Sequence, residues 1–143
     1  MRFIKSNKYK IELTPEQQAE VGSIEDINNA CGKHSIISYD IYDNDNLIGF
    51  AQLRKYKRKC FFLWHFGIDI SYQNKNLGTR ALIELIDYLK NEYNIKEIVT
   101  TYTYGNNHAK HVYEKVGFVE INVVDEDGIH EVDMLYKIAE KDK

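Results

Sequence analysis

Residues 68–79 of the chain read Ile68-Asp69-Ile70-Ser71-Tyr72-Gln73-Asn74-Lys75-Asn76-Leu77-Gly78-Thr79. They lead from an apolar strand into an amphipathic helix, and the first turn of a helix has unpaired N–H groups that can bind phosphate. Lys75 and Arg80 add positive charge nearby. Asn74, Asn76 and Gly78 suit a loop around an anion, because Gly and Asn adopt left-handed backbone angles more readily than other residues. This stretch therefore predicts a phosphate-binding turn between strand and helix.

The segments around this turn predict a strand, a helix and a second strand. The helix is expected from Thr79 to Tyr93, with one apolar face formed by Ala81, Leu82, Leu85, Ile86 and Leu89. The apolar strand Cys60–Ile68 precedes it, and the strand Lys96–Tyr104 follows it. A crossover of this kind predicts a parallel strand pair with a right-handed connection. The turn at residues 68–79 and the segment after Tyr104 then lie at one edge of the sheet.

A second motif starts at that edge and reads Gly105-Asn106-Asn107-His108-Ala109-Lys110-His111-Val112-Tyr113-Glu114-Lys115-Val116-Gly117-Phe118. Asn106 is placed to cap a helix or to hold a ligand through its amide. Ala109 and Tyr113 are four residues apart and therefore share one helical face.

The two motifs together resemble those of the GNAT superfamily of acetyl-CoA-dependent N-acetyltransferases. Residues 73–78 are similar to its Gln/Arg-x-x-Gly-x-Gly/Ala pyrophosphate loop, with Asn76 at the usual Gly position. Residues 106–118 match its pattern Asn-x-x-Ala-x-x-x-Tyr-x-x-x-Gly-Phe at every fixed position. The resemblance spans Leu47–Phe118, is nearest to polyamine acetyltransferases, and extends more loosely to Lys137. It implies an α/β (α+β) fold with a mixed sheet of six to seven strands, splayed at its centre and flanked by helices.

The resemblance also implies a cosubstrate and residue roles. Acetyl-CoA would lie where the strands Cys60–Ile68 and Lys96–Tyr104, the fourth and fifth of the predicted sheet, part from each other. Tyr113 would protonate the departing thiolate. The residues implied in its binding are Ile68, Asp69, Ile70, Gln73, Asn74, Lys75, Asn76, Leu77, Gly78, Thr79, Asn106, Ala109 and Tyr113. A backbone N–H at Ile68 or Ile70 is expected to polarise the thioester carbonyl.

One ionisable side chain, His65, interrupts the apolar strand before Asp69. A lone His in such a strand is commonly a core residue with satisfied hydrogen bonds. The alternative is that His65 is the general base, directly or through water, because it comes close to where an acceptor amine loses its proton. Polyamine acetyltransferases often have a carboxylate in this stretch. Here Trp64 and His65 occupy it, so one anchor for a polycation is missing.

The N-terminal part predicts one strand and one or two helices. Lys8–Leu13 is expected to be the first strand. Thr14 caps a following helix, with Pro15 at its first position and Gln17 completing a capping box. The helix is expected to end at Cys31, either unbroken or restarted by Ser23.

Two hairpins complete the predicted sheet. The first pairs Ile36–Tyr42 with Leu47–Leu53, and the second pairs Val119–Val124 with Ile129–Lys137. The basic run Arg54–Lys59 lies between strands and is interpreted as a solvated turn, although a basic run with an embedded Tyr is also compatible with an anion or nucleic-acid patch.

Bulk properties favour one ordered domain over residues 1–143, because the chain is 43% hydrophobic and 29% charged with a single Pro. A net charge of −3 disfavours a nucleic-acid partner held by overall charge. No membrane association is expected, since the sequence has neither a signal-like N-terminus nor a run of about 18 apolar residues. Cys31 and Cys60 are read as free thiols in a reducing cytoplasm.

The predicted function is direct transfer of an acetyl group from acetyl-CoA to a primary amine of a small molecule, with a polyamine as the leading acceptor. Two alternatives stay open: an N-acetyltransferase acting on proteins or peptides, and an acyl-CoA-binding module without turnover. No metal is expected, because His108 and His111 lack carboxylate or thiol partners. The sequence leaves the assembly open, with a homodimer as one candidate.

Overall fold

The computed structural model describes residues 1–15, 17–18, 23–31, 33, 35–73 and 76–138. The strands within these residues are β1 (Arg2–Lys5), β2 (Ile36–Asp43), β3 (Asn46–Lys57), β4 (Cys60–Ile68), β5 (Glu97–Thr103), β6 (Val119–Glu126) and β7 (Ile129–Lys137). The helices are α1 (Ile24–Ala30), α2 (Leu77–Tyr93) and α3 (Asn107–Val116), and a short 3₁₀ turn covers Ile70–Tyr72.

These strands form one seven-stranded sheet in the order β1-β2-β3-β4-β5-β7-β6. Neighbouring strands are antiparallel, except that β4 and β5 run parallel. The parallel pairing covers Cys60–Leu63 and Glu97–Thr100 only, so the carboxyl-terminal halves of β4 and β5 part. The Thr100 hydroxyl donates to the Leu63 carbonyl at 2.9 Å at the last paired position. The expected mixed sheet, splayed at its centre, is confirmed.

Helices cover both faces of the sheet because alternate residues of a strand point to opposite sides. Ala51 and Leu53 of β3 join the core cluster that contains the buried face of α2, whereas Phe50 joins a second cluster with Ile27 of α1. The buried residues of α2 include the predicted set Ala81, Leu82, Leu85, Ile86 and Leu89. Helix α3 packs beside α2, with Val112 against the same cluster.

The predicted first strand at Lys8–Leu13 is wrong, since the first strand is β1, in which Phe3 pairs with Ile41 of β2. Alternate side chains of the segment are buried, as a strand pattern requires, at Tyr9, Ile11 and Leu13. Its backbone nevertheless bonds to the turn after β4, because the Ile70 N–H donates to the Glu12 carbonyl at 2.7 Å. Alternate burial of side chains therefore occurs in residues 8–13 although this segment is not a strand of the sheet.

The helix start at Thr14 and the restart at Ser23 are both present. The Gln17 N–H donates to the Thr14 hydroxyl at 3.3 Å and the Thr14 N–H to Gln17 Oε1 at 3.4 Å, which is the predicted capping box. Ser23 is extended and accepts from the Asp26 N–H at 3.1 Å, so α1 is a separate helix. Residues 16 and 19–22 of the predicted helix lie outside the described residues.

Two predicted boundaries differ from the structure. Helix α2 begins at Leu77 rather than at Thr79. Strand β3 continues through Lys57, so the basic run is mostly strand, and Lys55 pairs with Phe61 of β4. Its exposed side chains made the run resemble a turn. None of the helices within the described ranges is both long and apolar enough to cross a bilayer.

Candidate active site

A β-bulge in β4 lies next to the point where the sheet opens. Leu63 pairs with Leu53 of β3 and His65 pairs with Gln52, so Trp64 is an extra residue in β4. Successive strand residues normally point to opposite faces, but a bulge changes this alternation. The rings of Trp64 and His65 therefore stack, with centroids 4.7 Å apart and an interplanar angle of 25°. Because Leu63 is also the last residue paired with β5, the bulge and the splay coincide.

A cavity of about 950 Å³ occupies the gap between the parted strands. The predicted site residues that line it are His65, Ile68, Gln73, Asn76, Leu77, Gly78, Thr79, Asn106, Ala109 and Tyr113. Asp69 and Ile70 are not in its lining, and Asn74 and Lys75 lie outside the described residues. We call residues 68–73 and 76–79 the loop side of the cavity. Trp64 and His65, with Gln52 beneath them, form the bulge side.

The main chain of Ile68 faces the gap. Ile68 pairs with Gly49 and the next N–H, that of Asp69, donates to the Ile48 carbonyl at 2.7 Å, so Ile68 is in a non-hydrogen-bonded pair and its own N–H and C=O point away from β3. The Ile68 carbonyl accepts from Gln73 Nε2 at 2.9 Å. The N–H of Ile70 is already donated to Glu12. Of the two predicted carbonyl-polarising donors, Ile68 alone faces the cavity.

Asp69 and Gln73 hold the turn in shape. The Asp69 carboxylate accepts from the N–H groups of Ser71 and Glu12, each at 2.9 Å. Gln73 Nε2 contacts the Gln17 side chain in addition to the Ile68 carbonyl. Both side chains therefore act on the backbone of the loop side, and Gln73 also reaches the cavity.

The start of α2 is open toward the cavity. Asn76 has φ 57° and ψ 15°, the left-handed conformation, and its side chain makes no capping hydrogen bond. By contrast, Ser23 caps α1 and Asn106 caps α3, accepting from the Ala109 N–H at 3.2 Å. Since Leu77 and Gly78 line the cavity, the uncapped N–H groups of the first turn are placed to bind an anion.

Two predictions about this loop need correction. Gly78 lies within α2 and has no positive φ, so the left-handed position is Asn76 alone among the described loop residues. Arg80 does not line the cavity, because its guanidinium lies 3.8 Å from the carboxylates of both Asp43 and Glu84. The positive charge of Arg80 is therefore paired with carboxylates outside the cavity.

Aromatic packing holds Tyr113 on the α3 side of the cavity. Its ring centroid lies 5.3 Å from that of Phe118 and 6.4 Å from that of Tyr102. Tyr113 is half-buried and lines the cavity together with Ala109, as their shared face predicts.

His65 is neutral in this setting. It is 9% exposed, and its Nδ1 is buried without a hydrogen-bond partner. Burial lowers the pKa of His65 to about 4, and the negative charge of Asp26 opposes that shift. A general base stores a proton best when its pKa is near the working pH. The structure therefore makes His65 a hydrogen-bond acceptor or relay more readily than a store for the proton.

Sequence reasoning missed two polar residues of this region. Lys115 of α3 lines the cavity, and Gln52 is fully buried next to His65. A signal for Gln52 was present, since it is an amide in the otherwise apolar strand segment Leu47–Leu53. His108 and His111 also line the cavity, and no group of three metal-binding side chains occurs in the part of the chain that the structure describes.

Residues 4–118 match the family model described as acetyltransferase (GNAT) family, and the chain belongs to that family. Among curated proteins it is similar to the spermine/spermidine N(1)-acetyltransferase of Bacillus subtilis (strain 168), with 33% identity over 85 residues. That alignment covers 54% of this chain and 56% of the relative, so the match spans about half of each protein.

Two solved structures share the fold. Spermidine N-acetyltransferase from Vibrio cholerae, in complex with CoA and spermine, has a TM-score of 0.71 at 21% identity, covering 85% of this chain and 82% of that one. The IAA acetyltransferase from Bacillus cereus ATCC 14579 has a TM-score of 0.72 at 15% identity, covering 96% of this chain and 99% of that one.

Proposed function

We propose that this chain is an N-acetyltransferase that moves the acetyl group of acetyl-CoA to a primary amine of a small molecule. One observation carries the proposal: the cavity at the splay combines the uncapped start of α2 with the side chains of His65 and Tyr113. Membership in the acetyltransferase family supports the same assignment. We also propose that residues 1–143 form one such domain.

The loop side fits the diphosphate of coenzyme A. Its main-chain N–H groups from Leu77 to Thr79 are uncapped, and Asn76 supplies the left-handed turn that aims them at the cavity. Asn74 and Lys75 belong to the same loop in sequence, and we retain both as proposed ligands. Asn106 and Ala109 would contact the pantetheine arm. When bound, acetyl-CoA supplies an activated acyl group.

Tyr113 is the proposed acid, with its phenol giving a proton to the leaving sulfur. Phenol and thiol groups have ordinary pKa values within about two units, so this proton transfer is close to balanced. The Ile68 N–H would donate to the thioester oxygen, which gains negative charge during attack. Placing both reactants in one cavity removes much of the entropic cost of the encounter.

His65 is the proposed contact for the acceptor amine on the bulge side. As a neutral ring it accepts a hydrogen bond from the amine, and the proton leaves through His65 or a water. Asp69 and Ile70 have no proposed contact with either substrate, because their polar backbone or side-chain atoms are engaged in the turn.

A polyamine is the leading acceptor. The relatives in Bacillus subtilis and Vibrio cholerae are named for spermine or spermidine, the cavity is lined by Glu131, and the negative charge of Asp26 acts on His65 in that lining. Both carboxylates would attract a polycation to the opening. A cavity volume of about 950 Å³ favours a small molecule over a folded protein surface.

A thiol-release assay with acetyl-CoA tests this function against its alternatives. The panel contains spermidine, spermine, a monoamine and peptides with free N-termini or lysines. Turnover on the polyamines supports the proposal, and turnover on peptides alone would replace it with a protein acetyltransferase. Heat of CoA binding in a calorimeter, without turnover on any amine, would leave an acyl-CoA-binding module.

We further propose a homodimer and a cytoplasmic location. Edge strand β6 exposes Val119, Ile121 and Val123, which gives a second copy an apolar surface. Cys31 and Cys60 are both free thiols, as a reducing compartment favours. Sedimentation at micromolar concentration measures the assembly, and a monomer at all concentrations would contradict the dimer.

A further inference from the structure

Gln52 lies at the junction of three strands and α1. It is fully buried, and its Nε2 donates to the Ile27 carbonyl of α1 and to the Ser38 hydroxyl of β2, each at 3.0 Å. A carbonyl oxygen accepts hydrogen bonds and cannot donate them. The amide orientation is therefore fixed, with Nε2 toward α1 and β2.

The amide oxygen of Gln52 is left for the opposite direction. Ser38 and His65 are the residues paired with Gln52 in the neighbouring strands, so all three side chains lie on one face of the sheet. Since Nε2 faces Ser38, Oε1 faces the His65 side. Oε1 of Gln52 and Nδ1 of His65 are both buried without a hydrogen-bond partner.

These two atoms are chemically complementary. An amide oxygen can only accept, and a neutral imidazole carries its single proton on either Nδ1 or Nε2. A proton on Nδ1 satisfies both buried atoms, whereas a proton on Nε2 leaves two acceptors facing each other. With Nδ1 buried, the ring meets the cavity through the edge that carries Nε2.

We propose that Gln52 is a positioning residue that holds His65 as the Nδ1–H tautomer through a direct hydrogen bond from Nδ1–H to its Oε1, closed by a small shift of either side chain, so that Nε2 accepts an N–H from the acceptor amine. The inference rests on the proposed function, because it names the point at which that amine binds. It gives the buried amide of Gln52 on β3 a role beyond packing.

The ring of His65 is also held in place by its neighbour. Trp64 stacks on it, and the Arg54 guanidinium lies 5.8 Å from the Trp64 ring centroid. Trp64 is the single Trp of the chain and is 41% exposed at the cavity. Its fluorescence therefore reports on ligands that enter the bulge side.

The first test measures the wild-type protein and uses a variant only to assign signals. Nitrogen-15 NMR of the wild-type protein at neutral pH assigns the tautomer of each His, and His65→Phe identifies the His65 signals by their loss. We expect the proton of His65 on Nδ1. A proton on Nε2 overturns the inference, whatever the enzyme activity.

The second test uses Gln52→Met, which keeps the size of the side chain and removes both polar atoms. Ser38→Ala is the matched control, because it removes one partner of Nε2 and leaves Oε1 in place. In Gln52→Met we expect the Nδ1–H tautomer to be lost. We also expect the KM for the amine, and the Kd of the amine from Trp64 fluorescence, to rise about fivefold with the KM for acetyl-CoA nearly unchanged.

Retention of the Nδ1–H tautomer in Gln52→Met, or an equal rise of both KM values, overturns the role of Gln52. If Gln52→Met does not fold, the wild-type tautomer still decides. The proposed function fails separately: absent turnover on every amine would remove the acetyltransferase, while the tautomer measurement would stand on its own.

Discussion

The loop side and the bulge side of the cavity are built from different parts of the chain. The loop side depends on main-chain groups: the Ile68 N–H, the left-handed Asn76 and the uncapped start of α2. The bulge side depends on side chains that the strand register brings together, since His65 of β4 is paired with Gln52 of β3. A main-chain site tolerates changes of side chain and fails when backbone angles change. A side-chain site behaves in the opposite way.

The largest effect is expected between the two sides, at Tyr113. Tyr113→Phe removes the proposed proton donor and keeps the ring that packs on Phe118 and Tyr102. We expect kcat to fall about a thousandfold with the Kd for CoA nearly unchanged, because general acids contribute on this scale. Steady-state kinetics and calorimetry measure the two quantities. Tyr104→Phe, at an exposed ring, is the control, and unchanged turnover in Tyr113→Phe would remove Tyr113 from the mechanism.

The next largest effect is expected on the bulge side, in the dependence of folding stability on pH below 6.5. The pKa of His65 is lowered from 6.5 to about 4 by burial, so between these values the unfolded chain binds more protons than the folded protein. The contribution of His65 to the free energy of unfolding is therefore fully present above pH 6.5. It is lost as the pH falls toward 4, by on the order of 3 kcal/mol. His65→Phe should flatten this part of the profile in urea denaturation. The exposed His108→Gln should not, and an equally steep profile in His65→Phe would contradict the buried neutral ring.

A smaller effect is expected on the loop side, at Asn76. Asn76→Ala places a side chain that disfavours left-handed angles at φ 57° and should cost about 1 kcal/mol of folding free energy. Asn76→Gly has no such cost and should be at least as stable as the wild type. Urea denaturation compares the two variants. Equal stabilities for Ala and Gly would mean that the loop does not depend on this angle.

The smallest effect on stability is expected at Gly78. A Cβ there would lie 3.7 Å from Ile68 Cγ1, which is ordinary contact, so Gly78→Ala should change stability by less than about 0.5 kcal/mol. The added methyl group lies at the cavity lining, so CoA affinity should still fall several-fold in calorimetry. Ile83→Ala is the control, because it changes a side chain on the exposed side of α2 and should leave CoA affinity unchanged. Unchanged affinity in Gly78→Ala would show that the ligand does not approach this backbone closely.

The loop side was largely predictable from sequence because its motif encodes backbone geometry. The strand, the turn and the helix around Asn76 follow from local residue types, and the capped motif at Asn106 does so as well. The engagement of the Ile70 N–H by Glu12 was not predictable, since it depends on where residues 8–13 cross the sheet.

The bulge side was poorly predictable for a physical reason. An apolar strand containing Trp64 and His65 gives no local sign of an extra residue, and without the bulge the two side chains would point to opposite faces. The pairing of Gln52 with His65 likewise depends on the register between two strands. Sequence identified His65 as unusual, but its buried environment and its partner emerged only from tertiary structure.

The short parallel ladder between β4 and β5 has a mechanical consequence. Only Cys60–Leu63 and Glu97–Thr100 join the two half-sheets through main-chain pairing, so this central seam has four residue pairs, no more than the ladder of the edge strand β1. Amide deuterium uptake should accordingly begin at Phe66 and Ile68, whose N–H groups face the gap, and reach Phe61 and Leu63 last. A ligand that fills the gap would slow deuterium uptake at the amides of Phe66 and Ile68, because it would connect the two half-sheets where their main chains are not paired.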